Sequence, residues 1–205
     1  MNQRIVFATT NEGKMSEIRE ILSDCGYDIL SMKEAGICAE ADENGSTFEE
    51  NARIKADCAA KQLPEDIVMA DDSGLEIDYL NKEPGIYSAR YLGEDTSYDI
   101  KNRALLDRMA GVEKEQRTAR FVSAIAAAVP GKGIFTVRGT VEGYIGWEPA
   151  GTNGFGYDPI FYVDEYGCST AELTMEQKNA FSHRGNALRA MKELLIEKGV
   201  LRNCV

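Results

Sequence analysis

Ile67-Val68-Met69-Ala70-Asp71-Asp72-Ser73-Gly74-Leu75-Glu76-Ile77 is the stretch whose reading decides the fold. A short apolar run ends in two adjacent carboxylates, a hydroxyl and a glycine, and a second alternating run follows at once. The pattern predicts a strand that delivers carboxylates to the edge of a sheet and then turns back. Side chains alternate along a strand, so Asp71 and Asp72 are expected on opposite faces. One is then free to hold a metal or a water while the other braces the turn. The same four residues, Asp-Asp-Ser-Gly, also suit a plain solvated turn.

Upstream, Arg4-Ile5-Val6-Phe7-Ala8-Thr9 reads as a buried strand beginning almost at residue 1. Thr10-Asn11-Glu12-Gly13-Lys14 breaks it, and Met15, Ile18, Ile21 and Leu22 recur at helical spacing until Gly26. Residues 9–14 are therefore a strand–loop–helix junction. The backbone N–H groups of a helix start attract phosphate, and Lys14 adds a point charge there. No GxxxxGK[ST] loop is present, and an ordinary polar turn fits the same residues. Residues 28–31 read as a second strand and residues 34–45 as an acidic loop. Ser46-Thr47-Phe48-Glu49 reads as a capping box opening a helix to about Lys61. Asn51 and Lys55, four apart, share one face of that helix. Glu43, just before the cap, is either part of a solvated surface or a carboxylate that shares a hard cation with Asp72.

Downstream, residues 75–80 read as a strand, and Asn81 to Gly85 as a turn. Ser97 is placed as the cap of a helix through Met109, with Ile100, Ala104, Leu105 and Met109 as its apolar face. Residues 118–129 and 134–145 are two long β-prone runs joined by Pro130-Gly131-Lys132-Gly133. The glycine-rich segment 146–159 follows, and its glycines allow close backbone approach. Phe155 and Tyr157 are candidates to stack on a planar ring, with Trp147 nearby. A mobile lid or long hairpin is the alternative reading. Thr174-Met175-Glu176-Gln177 is a second capping box, followed by Lys178. Ser182-His183-Arg184 opens a C-terminal helix with Ala187, Leu188, Met191, Leu194 and Leu195 as its apolar stripe. His183 is the single histidine, and with Arg184 and Lys178 it makes a donor-rich group in an acidic protein.

The totals bound the class. A chain of 205 residues without repeats or low-complexity linkers fits a single domain, 1–205. Its net charge of −11 disfavours nucleic acid polymers and anionic membranes as partners. A small polyanion remains compatible if basic groups and a divalent metal gather locally. Five scattered cysteines (25, 38, 58, 168 and 204) without a CxxC read as reduced thiols. No signal-peptide pattern and no apolar run of about 18 residues is visible, so a soluble cytoplasmic protein is expected.

Six pieces in order resemble the inosine triphosphate pyrophosphatases, also called XTP/dITP diphosphatases. They are residues 9–14 (TTNEGK), 45–52 (GSTFEENA), 70–75 (ADDSGL), 85–91 (GIYSARY), 154–159 (GFGYDP) and 182–184 (SHR). Thr10 stands where many members have Gly or Ser, and Gln177 where an acid is frequent. The resemblance implies an α/β fold: an elongated mixed β-sheet flanked by helices, in two lobes with a central substrate cleft. It implies a homodimer that hydrolyses ITP, dITP and XTP to the monophosphate and pyrophosphate with Mg²⁺. Thr9, Thr10, Asn11, Glu12, Gly13 and Lys14 resemble the phosphate cradle, and Lys55 a second phosphate lysine. Glu43 and Asp72 resemble the metal and water site, with Asp72 as general base and Ser73 binding alongside. Phe155, Gly156, Tyr157, Asp158, Lys178, His183 and Arg184 resemble the base and sugar pocket.

These implied roles agree with elementary chemistry. Water attack on the α-phosphorus needs an oriented nucleophile and neutralisation of the departing pyrophosphate. Hypoxanthine and xanthine carry an acceptor oxygen at C6 where adenine carries a donor amino group, so donors at Lys178, His183 and Arg184 favour the former. The alternatives are a Maf-type pyrophosphatase acting on modified pyrimidine triphosphates and a non-catalytic nucleotide sensor. The first is opposed by the 155–158 and 182–184 pieces. The second is opposed by the presence of Asp71, Asp72, Glu43, Lys14 and Lys55 together. A nucleic-acid-binding module is opposed by the charge.

Overall fold

The first strand, β1 (Arg4–Phe7), forms because Ile5, Val6 and Phe7 are apolar and become buried. It pairs in parallel with β2 (Asp28–Ser31) on one side and with the first half of β3 (Ile67–Ile77) on the other. Parallel neighbours require crossovers, and these are α1 (Glu12–Ile21) and α2 (Phe48–Ala60). The structure, a computed structural model, describes residues 4–23 and 26–202; Cys25 and Cys204 lie outside the described residues. The remaining elements are α3 (Tyr98–Arg108), β4 (Thr118–Val129), β5 (Gly133–Ile145), β6 (Phe161–Val163), β7 (Cys168–Ser169), α4 (Met175–Phe181) and α5 (His183–Glu197). The seven strands hydrogen-bond in the order β2-β1-β3-β4-β5-β6-β7, a mixed α/β sheet as expected.

The described residues fall into two compact units, each with its own core. The first draws on Met1–Asp72, Ser123–Gly139 and His183–Val205. Its core gathers Ile5, Phe7, Met15, Ile18, Met69, Ile125, Leu188, Met191 and Leu195. The apolar stripe expected on α5 is there, with Ala187, Leu188, Met191 and Leu195 buried and Leu194 packed at the edge. Gly139 of β5 backs directly onto the first turn of that helix. A Cβ there would stand 2.3 Å from the His183 carbonyl oxygen and 2.4 Å from the Ala187 nitrogen, so only glycine allows the approach. The second unit draws on Ser73–Val122 and Thr140–Ser182. Its core gathers Leu75, Ile77, Leu105, Met109, Phe121, Ile145, Ile160 and Phe161.

The structure corrects several expectations. No turn occurs at Ser73-Gly74: β3 runs unbroken for 11 residues. Leu75 and Ile77 are fully buried in the second core, and a reversal at Ser73 would withdraw both. The strand then ends at Ile77, and residues 78–80 form a 3₁₀ turn instead of continuing to Leu80. The first capping box is shifted by one residue. Thr47 caps α2 by accepting from the Glu50 N–H, while the Glu50 carboxylate reaches back to the Ser46 N–H and hydroxyl. α1 stops at Ile21, short of Gly26. Ile100, assigned to the apolar face of α3, is exposed; the buried side chains there are Lys101, Asn102, Leu105 and Leu106. The Thr174–Gln177 capping box is present as expected. Cys38, Cys58 and Cys168 are free thiols. Among the described residues no helix is long and apolar enough to cross a membrane.

Candidate active site

In the strand order β2-β1-β3, β1 lies between two parallel neighbours: its own crossover leads to β2 on one side, and the crossover from β2 passes β1 to reach β3 on the other. Ligands of open parallel sheets bind at the carboxyl ends of strands at such points. Here those ends are the 9–14 junction after β1 and Asp71-Asp72 on β3. Their register is fixed by Phe7 pairing with Met69 and by the Ala8 N–H donating to the Met69 carbonyl, 2.7 Å. The junction is laced by its own side chains. Thr9 Oγ1 accepts from the Asn11 N–H at 3.2 Å, and Asn11 Oδ1, the N-cap of α1, accepts from the Lys14 N–H at 3.0 Å. Thr10 on the loop and Glu12 at the first position of α1 are exposed, and Gly13 is half-buried.

From the first turn of α1, Lys14 reaches Asp71, Nζ to Oδ2 2.7 Å. Asp71 also accepts from Ser123 Oγ of β4 at 2.5 Å and meets the Arg184 guanidinium at 3.3 Å. Arg184, 1% exposed, pairs in addition with Glu17, one turn beyond Lys14 on α1. Burial alone would push the Asp71 carboxyl upward, but Arg184 and Lys14 outweigh it and hold it well below the usual range. Burial pushes the Lys14 ammonium down against the pull of Asp71. Asp71 is a fixed anion that holds Lys14 in place. The resemblance assigns Arg184 to the base pocket; the structure places its guanidinium on Asp71 and Glu17, where a buried ion pair needs it.

Asp72 faces the other side, as strand alternation requires. Lys55 Nζ stands 2.7 Å from its Oδ1, and Asn51 Nδ2 donates to Oδ2 at 3.4 Å. These are the two α2 residues expected on one face. Asn51 Oδ1 in turn accepts from the Gly45 N–H at 2.9 Å, which ties the end of the acidic loop to α2. A Cβ on Gly45 would stand 2.7 Å from that oxygen. The tether brings Glu43 to Lys55, Oε2 to Nζ 3.4 Å. Burial raises the Asp72 carboxyl above its ordinary value, Lys55 opposes, and Glu43 adds to the rise. Lys55 stays protonated: burial opposes, and Asp72 and Glu43 prevail. The two neighbouring carboxylates are thus driven apart, one locked as an anion and the other made more basic.

Asp72 and Glu43 also fit a hard cation. Both already meet one positive charge, the Lys55 ammonium, with oxygen donors from two chain segments. Among the described residues no three His, Cys, Asp or Glu side chains gather into a cage. Mg²⁺ binds proteins through one or two carboxylates and completes its shell with water and substrate phosphates.

The second unit holds a different constellation. Asp158, at the end of the glycine-rich segment, is buried. It accepts from the Phe155 N–H at 2.9 Å, from Thr170 Oγ1 at 2.9 Å and from Lys178 Nζ at 2.7 Å. The Lys178 ammonium lies 5.0 Å from the Phe155 ring centroid. Gly154 has φ +73°, and a Cβ there would stand 2.2 Å from Asp158 Oδ2. The loop closes tightly on Asp158 and leaves a half-buried aromatic ring over an ammonium. Tyr157 does not serve as a stacking surface. It is 4% exposed, its hydroxyl donates to the Ser88 carbonyl at 2.7 Å, and its ring meets Tyr98 edge-on at 5.1 Å. Ser73 is half-buried on β3, and His183 is buried at the start of α5.

Glu17, Ser123 and Asn102 escape the sequence reading, and Ser88 enters it only within the 85–91 piece, without a role. Glu17 had a signal: a carboxylate three residues from Lys14 between the apolar-stripe positions Met15 and Ile18. Ser123 had a weaker one, a single hydroxyl inside an apolar strand.

The fold and the first unit's centre define a class: a mixed α/β protein with two part-buried lysine–carboxylate pairs at the carboxyl ends of β1 and the first half of β3. The chain belongs to the Ham1 family, whose model matches residues 5–194. It is 50% identical over 194 residues to a dITP/XTP pyrophosphatase of Bacillus licheniformis, covering 94% of this chain and 98% of the relative. It is also 50% identical over 190 residues to a dITP/XTP pyrophosphatase of Bacillus subtilis, covering 93% and 96%. Among solved structures it is similar to the Staphylococcus aureus Ham1 protein, with a TM-score of 0.85, 42% identity, and coverage of 96% of this chain and 100% of that one.

Proposed function

We propose that this protein hydrolyses ITP, dITP and XTP to the monophosphate and pyrophosphate, and so cleanses the nucleotide pool. The observation that carries the reading is the Asp71-Asp72 pair: one carboxylate locked beside Lys14, its neighbour raised by burial beside Lys55. Its likeness at 50% identity to proteins named dITP/XTP pyrophosphatase supports the substrate class.

In this mechanism Asp72 takes a proton from water as the water oxygen bonds to the α-phosphorus. The bond from that phosphorus to the α–β bridging oxygen breaks, and pyrophosphate leaves. Lys14 and Lys55 neutralise charge on the phosphates and the departing group. The backbone and side chains of residues 9–13 cradle the phosphates at the α1 N-terminus. Mg²⁺ held by Glu43 and Asp72 would supply further charge neutralisation. Phe155 stacks on the purine, and Lys178, held by Asp158, donates to the C6 oxygen. Gly156 lets the backbone approach, and Tyr157 braces the loop. Ser73 and His183 keep the substrate-binding roles that the family resemblance gives them. Arg184 acts through Asp71.

We read the protein as cytoplasmic and homodimeric. The resemblance supports the dimer.

A substrate panel tests the reading. ITP, dITP and XTP should release pyrophosphate with Mg²⁺ present, and ATP should be turned over about 10⁴-fold less efficiently, because its C6 amino group leaves donors unpaired. ATP turnover within tenfold of ITP would refute the donor argument. Tight ITP binding without turnover would make the protein a sensor.

A further inference from the structure

The buried face of α3 carries two polar side chains, Lys101 and Asn102, beside Leu105 and Leu106. Both reach backbone carbonyls of loops. Lys101 Nζ donates to the Ala89 carbonyl at 2.6 Å, and Asn102 Nδ2 donates to the Gly156 carbonyl at 3.1 Å. A third bond, from Tyr157 Oη to the Ser88 carbonyl at 2.7 Å, joins the two loops to each other. Ser88 Oγ accepts from the Leu75 N–H at 2.9 Å, which anchors the assembly to β3. Tyr98, at the start of α3, would lie 3.6 Å from a Cβ on Gly156 and meets the Tyr157 ring edge-on.

Asn102 is placed at a cost. It is 3% exposed, and its Oδ1 has no hydrogen-bond partner among the described residues. A buried unsatisfied acceptor is unfavourable, and a leucine at this point of the helix would avoid it. What the asparagine supplies and a leucine does not is the donor to Gly156, which sits at φ +71° between Phe155 and Tyr157.

We infer that Asn102 is a positioning residue for base recognition: by fixing the Gly156 peptide it holds Phe155 and Lys178 in the arrangement that receives the purine. The inference rests on the function proposed above. Lys101 and Tyr157 hold the adjoining 85–91 loop against which this peptide is set. A loosened Gly156 peptide frees the Phe155 ring, so the bound base must order it. The effect falls on binding of the base, not on the phosphate chemistry of the first unit.

Asn102→Leu and Asn102→Ala test this. Leucine removes the donor and the orphan acceptor together but also takes the donor from the Gly156 carbonyl, so a purely structural asparagine predicts a variant that melts lower than the parent with an unchanged KM. A positioning role predicts a folded Asn102→Leu enzyme whose KM for ITP rises about tenfold, the scale of one net hydrogen bond. Its kcat should change less than about threefold, and its Kd for inorganic tripolyphosphate, which has no base, should not move. Asn102→Ala, which cannot donate at any pH, should show the same split. ITP affinity measured by calorimetry in the Asp72→Asn background reads the effect without turnover. ITP cleaved at another bond would therefore overturn the proposed mechanism and leave this inference standing. Unchanged ITP affinity in a folded Asn102→Leu protein, or equal weakening of ITP and tripolyphosphate, would overturn the inference.

Discussion

Asp72→Asn should lower kcat by about 10²–10⁴-fold, the contribution of one general base, while the protein remains folded. The substitution keeps the shape but removes both the basic oxygen and a charge that would help hold Mg²⁺, so the rates are compared at saturating Mg²⁺. Lys55 keeps Glu43 as a partner, so the change leaves no isolated buried cation. The wild-type pH profile should carry the same signature. Activity should fall on acidification as Asp72 takes up its proton; burial raises this carboxyl and the Lys55 ammonium opposes. The acid limb should vanish from the residual activity of Asp72→Asn. Steady-state rates across pH 4 to 8 check this, and an Asp72→Asn enzyme within tenfold of the parent would remove Asp72 from the role of base.

Asp71→Asn should instead act chiefly on stability. It removes the buried carboxylate that Lys14 and Arg184 both meet, leaving Arg184 its pair with Glu17 and Lys14 the more distant charge of Asp72. Breaking a buried pair by removing one partner costs about 3–5 kcal/mol, or roughly 6–20 °C in Tm for a chain of this size. The linkage has a definite sign. Asp71 is depressed in the folded state, so its stabilisation is fully present above the unfolded value of about 3.9. It is lost as pH falls through the lower folded value. Acid melts of the wild type should therefore steepen below about pH 4, and Asp71→Asn should lack that component. A stable but inactive Asp71→Asn enzyme beside an active Asp72→Asn enzyme would exchange the two roles.

The two carboxylates were legible in the sequence because strand alternation separates neighbours, and the structure gives each its own lysine. Lys14 and Lys55 were legible for a similar reason, each lying on a helix whose start is marked by a capping side chain. The Ser73-Gly74 turn was misread because local turn chemistry competes with burial of Leu75 and Ile77, and only the finished core shows which prevails. The capping box slipped because Ser46…Glu49 and Thr47…Glu50 both satisfy the spacing; the close approach of Gly45 to Asn51 goes with the second. Tyr157 looked like a stacking ring because composition cannot tell a half-buried aromatic from a buried one. Arg184 adjoins His183 in sequence, but its partner Glu17 is 167 residues away, a pairing that no local pattern reports.

Hydrolysis of ITP in ¹⁸O-labelled water tests the central claim most directly. Attack on the α-phosphorus by a water that Asp72 deprotonates predicts one labelled oxygen in IMP and none in pyrophosphate. Label in pyrophosphate would place the attack on the β-phosphorus, and labelled orthophosphate would place it on the γ-phosphorus. Either result would contradict the mechanism proposed here.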